Sequence, residues 1–143
     1  MGGQLTDLII DVNGYFAPPA AGELLFHPIT PCRLVDTRPD QGKVAFGPPA
    51  LGSYSSRNFL ILGNCPVSST AQAYALNLTA FPKGRLSFLS MWPEGHNYPG
   101  VSTLNSEDGS IIANAAIVPA GANGGVTIVT GEPTDLVIDV YGY

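Results

Sequence analysis

Apolar and polar residues alternate with a period of two along most of this chain. No segment holds ten residues free of Gly and Pro with a stripe at the helical period of 3.6 and a good N-cap. In LIIDVN (8–13), Leu8, Ile10 and Val12 share one face, while Asp11 and Asn13 lie on the other. In AQAYALNLTAF (71–81), Tyr74, Leu76 and Leu78 oppose Ala75, Asn77 and Thr79. RLSFLSMW (85–92) reads as a mixed strand ending at Trp92, and NFLIL (58–62) as a short, nearly all-apolar one. SIIANAAIVP (110–119) and GVTIVT (125–130) flank AGANGG, whose Asn-Gly step suits the positive φ values of a hairpin turn. SEDGS (106–110) reads as a second turn with Asp-Gly at its tip.

About ten short strands separated by Gly, Pro, Asn or Asp predict an all-β fold. Its expected form is an antiparallel β-sandwich with jelly-roll-like connectivity. FAPPAAG (16–22) breaks the pattern: prolines deny ladder donors and favour extended backbone, as in a linker.

The chain ends as it begins. TDLIIDVNGY starts at Thr6 and TDLVIDVYGY at Thr134, an offset of 128 residues with eight identities in ten. The chain is thus one repeat period plus one additional strand. Residues 1–16 are read as an extra strand, the end of a preceding repeat or a donor strand. Residues 17–23 form a Pro/Ala/Gly linker, and 24–143 the sandwich module. The expected assembly strand comprises Leu8, Ile9, Ile10, Asp11, Val12 and Tyr15, matching Leu136, Ile138, Asp139, Val140 and Tyr141. A domain closing on this sequence as an edge strand offers a groove that the leading copy also fits, with main-chain bonds for affinity and alternate side chains for register. If such exchange does not close, the product is a filament. Asp7 and Asp11, with Asp135 and Asp139, are expected to blunt an exposed sheet edge.

Composition narrows the partners. Hydrophobic residues make up 45%, enough for a core, but charged residues only 12%, and Lys plus Arg number six for a net charge of −5. Nucleic acid and anionic membrane surfaces need clustered basic residues, so both are disfavoured. No apolar run reaches the length of a membrane span. The start, MGGQ, has neither the basic nor the apolar region of a signal peptide. Cys32 and Cys65 are the only cysteines, without a CxxC or a nearby His cluster. They are read as a disulfide, which favours an oxidising compartment and stabilises by about 3–4 kcal/mol in the chain-entropy model; two buried thiols are the alternative.

Taken in order, HPITPCRLVDTR, YALNLTAFPKG, LSFLSMWPEG, PGVSTLNSEDG, ANAAIVPAGANGGVTIV and TDLVIDVYGY resemble a repeat module of secreted and cell-surface proteins of soil bacteria. That module is found in tandem or appended to hydrolases. The similarity covers about residues 24–143, and it implies export and an accessory or structural role, with no catalytic residues to carry over. The Ser87–Phe88 step departs from the usual Gly–Tyr or similar pair, which affects a local turn.

Candidate chemistry is sparse. A nucleophilic triad has only His27 and His96 to draw on, and there is no GxSxG, P-loop or Rossmann glycine pattern. Asp36, Glu94, Glu107 and Asp108 are the carboxylates available for glycoside hydrolysis, each in a turn-rich or charge-paired setting. Asp36 is read as a partner of Arg33 or Arg38. NSEDGS offers oxygen ligands around Glu107 and Asp108 that suit Ca²⁺, yet a side-chain-stabilised turn is the preferred reading. The NLT sequon at Asn77 is taken as coincidental. No cofactor, metal or enzymatic activity is expected.

The expectation is a secreted, non-catalytic structural module that assembles with copies of itself in tandem arrays or filaments through the duplicated strand. The alternative is a carbohydrate-binding accessory module for cell-surface glycan. It would use Trp92, Glu94, His96, Asn97 and Tyr98, because stacking aromatics beside hydrogen-bonding groups build sugar sites.

Overall fold

Tyr74, Leu76 and Leu78 point into a core between two four-stranded antiparallel sheets, as their alternation requires. The computed structural model describes residues 15, 17–18, 20, 22–41 and 44–143. The leading copy of the repeated strand, apart from Tyr15, therefore lies outside the described residues.

Eight strands are present: β1 (Pro28–Asp36), β2 (Arg57–Leu60), β3 (Ala73–Pro82), β4 (Leu86–Pro93), β5 (Leu104–Ser106), β6 (Ile112–Pro119), β7 (Gly125–Thr130) and β8 (Thr134–Gly142). The first sheet has the order β1-β8-β3-β6 and the second β2-β7-β4-β5. The pairs β1·β8, β2·β7, β3·β6 and β4·β5 are nested, as if one long hairpin with its tip between β4 and β5 had been rolled up. This is jelly-roll connectivity. Among the described residues there are eight strands; about ten were expected over the whole chain, one of them the leading copy that lies outside the described residues. Around Pro48 and Pro49, residues without an N–H, the chain makes only isolated bridges at Phe46, Leu51 and Ser53.

Rolling explains where local reading falls short. Asn123 and Gly124 do take positive φ values of 55° and 77°, as the Asn-Gly step requires. The strands they join lie in different sheets, so the reversal is not a hairpin. The Asp-Gly turn likewise carries the chain from β5 in one sheet to β6 in the other. Only the β4–β5 connection stays within a sheet. In β4 a register shift between Leu86 and Leu89 changes the phase of alternation, which is why this run reads as mixed. Ser87 and Phe88 belong to β4 rather than to a turn.

The core is continuous. Leu34, Phe59, Leu78, Leu86, Leu89, Val126, Ile128, Leu136, Ile138 and Val140 are fully buried, each worth about 1.5–3 kcal/mol relative to exposure. Cys32 and Cys65 form a disulfide with Cα atoms 5.9 Å apart, tying β1 to the loop after β2. Among the described residues, no helix is long and apolar enough to cross a membrane.

Candidate functional site

The duplicated sequence leads to the slot that its C-terminal copy fills. β8 is not an edge strand: it lies between β1 and β3 and pairs with both along its length. The expectation of a closing edge is corrected on this point. Asp135 and Asp139 do not blunt an edge either, because β1 and the residue after it supply their partners.

Five residues of β8 face inward, four of them with side chains. Thr134, Leu136, Ile138 and Val140 are fully buried, and Gly142 ends the series. A Cβ on Gly142 would lie 2.5 Å from a ring carbon of Phe26 and 2.8 Å from the main-chain oxygen of His27. The outward face carries two tethered carboxylates. Asp139 accepts from Arg33 Nε at 2.8 Å and Nη2 at 2.9 Å. Asp135 accepts from Thr37 Oγ1 at 3.1 Å, and that hydroxyl in turn accepts the N–H of Leu136 at 2.8 Å. The strand is pinned at both ends. Thr134 exchanges main-chain bonds with Leu51, and Tyr143 does so with His27, on whose ring it also stacks at 5.0 Å.

Matched to this slot, the leading copy has the same residue at every inward-facing and every tethered position. Thr6, Leu8, Ile10, Val12 and Gly14 reproduce all five inward residues, and Asp7 and Asp11 reproduce both tethered carboxylates. The two mismatches, Ile9 for Val137 and Asn13 for Tyr141, fall on the outward face. Tyr141 is exposed, whereas Val137 is only 3% exposed although outside the core cluster, so Ile9 adds one methylene at a covered position. Tyr15 and its counterpart Tyr143 line one groove of about 450 Å³ with Leu24, Leu25, Phe26 and Ile117.

The aromatic loop after β4 is closed on itself. Trp92 is 8% exposed, and its indole N–H donates to the main-chain oxygen of His96 at 2.9 Å. Tyr98 meets Trp92 edge-on at 5.4 Å. Glu94 accepts from Asn58 Nδ2 at 2.8 Å, and Asn58 Oδ1 accepts from Thr127 Oγ1 at 3.0 Å. Asn58 and Thr127 were not singled out from sequence; they join Glu94 because β2, β7 and β4 are neighbours. The loop thus unites Trp92, the His96 main chain and Tyr98, while Glu94 turns to β2 and Asn97 stays exposed. Tyr54 and Tyr98 flank Phe88 at centroid distances of 5.9 and 6.5 Å, forming an aromatic row that sequence spacing did not reveal.

The remaining carboxylates are held apart by separate partners. Asp36 binds Arg38 through two hydrogen bonds of 2.9 and 2.7 Å, and Arg33 approaches it at 3.5 Å. The Arg38 hydrogen bonds hold the Asp36 carboxyl below its ordinary range, against the opposing effect of burial. Glu107 is paired with Arg85. Asp108 caps the turn by accepting from the N–H and hydroxyl of Ser110, which lower its pKa. Among the described residues, no three His, Cys, Asp or Glu side chains are grouped to hold a metal ion. His27 is stacked on Tyr143 and His96 is exposed.

The fold class is thus a jelly-roll β-sandwich whose most constrained feature is the slot of its last strand. No protein-family model matches the chain, and no curated protein matches it.

Proposed function

We propose that the protein is a non-catalytic structural module of a tandem array or filament, in which residues 6–15 close the jelly roll of a neighbouring unit. One observation carries this reading: the duplicated strand is identical at every position facing into the β8 slot or tethered beside it, and it differs only on the outward face. A jelly roll has one such slot, and β8 already fills it. The leading copy is surplus to its own domain and suited to the same slot elsewhere. Main-chain pairing on both sides and three buried aliphatic side chains give the joint its strength. The disulfide suits an oxidising compartment, and with the module resemblance it supports a secreted or cell-surface setting.

The test disables the resident strand in the full chain. Leu136→Asp/Ile138→Asp places two carboxylates in the core, and a competent leading copy then takes the slot. The variant is expected to keep its β-sheet circular dichroism and a cooperative melt. Adding Leu8→Asp/Ile10→Asp is expected to abolish both. If the first variant is as unfolded as the second, residues 6–15 do not fit the slot and the reading fails.

The alternative, a glycan-binding module, loses Trp92 as an open stacking face. The exposed Tyr54 and Tyr98, on either side of the half-buried Phe88, remain as the aromatic row on which it would rest.

A further inference from the structure

A two-sheet sandwich has four edge strands, and three of these are guarded against pairing with another chain. β1 carries Pro28, Pro31 and Arg33, and its outer side is bonded to Phe46 through Asp36 N–H to Phe46 O at 3.0 Å and Phe46 N–H to Leu34 O at 3.1 Å. β2 has four residues, beginning with Arg57, and β5 has three. β6 is different. It runs for eight residues without a charge, and its one proline is the last residue. It pairs with β3 on one side, and among the described residues no main-chain group pairs with the other. Ala113, Asn114 and Ala115 are exposed at its centre.

We infer that β6 is a homotypic joint, pairing antiparallel with β6 of a second copy about a two-fold axis at Asn114. The residues themselves set this register. Val118 and the partly buried Ile112 and Ala116 face the core, so Ala113, Ala115 and Ile117 share the outward face, and Ile111, exposed one residue before the strand, continues the same alternation in sequence. Ile111 is 65% and Ile117 54% exposed, the latter at the rim of the groove lined by Tyr15 and Tyr143. With Asn114 opposite itself, Ile111 of each copy meets Ile117 of the other, twice, and Ala113 meets Ala115. Both exposed isoleucines gain apolar cross-strand partners. No like charges oppose each other, although the chain carries a net charge of −5. A register slipped by one residue sets outward side chains against inward ones and loses both pairs. The leading strand fits this edge poorly, since the face that carries Asp7, Asp11 and Asn13 holds a single isoleucine, Ile9, and cannot give both Ile111 and Ile117 an apolar partner. The second copy of β6 is the occupant that the edge suits.

A single strand-to-strand contact is smaller than the roughly 1,200–2,000 Å² of a stable complex, so isolated units associate weakly. Units linked in an array bind through many such edges at once, and avidity makes the sum strong. The slot strand would then join units along an array and β6 would join arrays side by side. The β6 joint does not depend on the slot reading, because it uses none of residues 6–15.

The test separates the two. In the full chain carrying Leu8→Asp/Ile10→Asp, sedimentation equilibrium up to about 1 mM, the affinity range of a small contact, is expected to show a reversible dimer. Ala113→Lys/Ala115→Lys in that background sets lysines opposite lysines, and is expected to weaken dimerisation at least tenfold. Mixing it with Ala113→Glu/Ala115→Glu is expected to restore dimers. A parent that stays monomeric, a lysine variant that dimerises as well as the parent, or a mixture no more associated than its components would each overturn the inference.

Discussion

Arg33 and Asp139 face each other across the β1–β8 ladder and share two parallel hydrogen bonds, Nε to Oδ1 at 2.8 Å and Nη2 to Oδ2 at 2.9 Å. Among the described residues this fork is the one ion pair that ties the closing strand to its slot, and the leading copy keeps its acid as Asp11. Arg33 is 45% exposed, so solvent screens the pair and its net contribution is about 1 kcal/mol, near the upper end for a surface pair because the geometry is bidentate. A double-mutant cycle of Arg33→Gln and Asp139→Asn, followed by urea denaturation, should give a coupling of that size, reduced in about 1 M salt. Zero coupling would show that the fork sets orientation without adding stability.

Asp36 should give the module a defined acid limit. Its carboxyl is almost fully buried and held below the ordinary range, first by the Arg38 side chain. A group depressed in the folded state contributes stability that is present above its unfolded value, about 3.9. That contribution is lost as pH falls through the lower folded value. The urea midpoint should therefore fall more steeply below about pH 4 in the parent than in Asp36→Asn. That variant should also be about 2 kcal/mol less stable at neutral pH, because it leaves Arg38 without its counter-ion.

Much of this fold was legible in the sequence, and the illegible parts have one cause. Period-two alternation placed β3, β6, β7 and β8, because which face of a strand is buried is written into successive side chains. The cysteine count of two gave the disulfide pairing. What alternation cannot convey is which strands are neighbours. Asp135 and Asp139 read as guards of an open edge, because carboxylates on a strand need solvent or a cation, and Thr37 and Arg33 come from a chain segment about 100 residues away. Asn123-Gly124 announced a reversal but not that the chain would change sheets there. Asn58 and Thr127 belong to the Glu94 network for the same tertiary reason.

Gly142 offers a test of how tightly the slot is shaped. Phe26 is partly exposed and can swing aside from a new methyl group, but the His27 oxygen lies in the main chain and bonds Tyr143. Gly142→Ala should cost about 1–3 kcal/mol, the range for overpacking. Gly84→Ala, where a Cβ meets nothing within 4 Å, serves as a control and should cost little. Gly14→Ala should leave the parent's stability unchanged. In the Leu136→Asp/Ile138→Asp background, where the proposed function requires residues 6–15 to take the slot, the same change should lower the melting temperature. Thermal melts of the four variants check each expectation.

The aromatic row separates packing from binding. Trp92 is buried beneath its own loop, with its N–H satisfied by His96 O and its ring against Tyr98. Trp92→Ala should therefore cost about 3 kcal/mol or more, as for other large-to-small changes at buried aromatics, and it should lower stability whether or not any sugar is bound. Tyr54 is 74% exposed and touches Phe88 by its edge, so Tyr54→Ala should leave stability within about 0.5 kcal/mol of the parent. A glycan-array signal lost in Tyr54→Ala, with the melting temperature unchanged, would establish the row as a sugar platform. A signal lost only in Trp92→Ala would report the collapse of the 94–103 loop. Equal binding by parent and Tyr54→Ala, or none by either, leaves the row as surface packing.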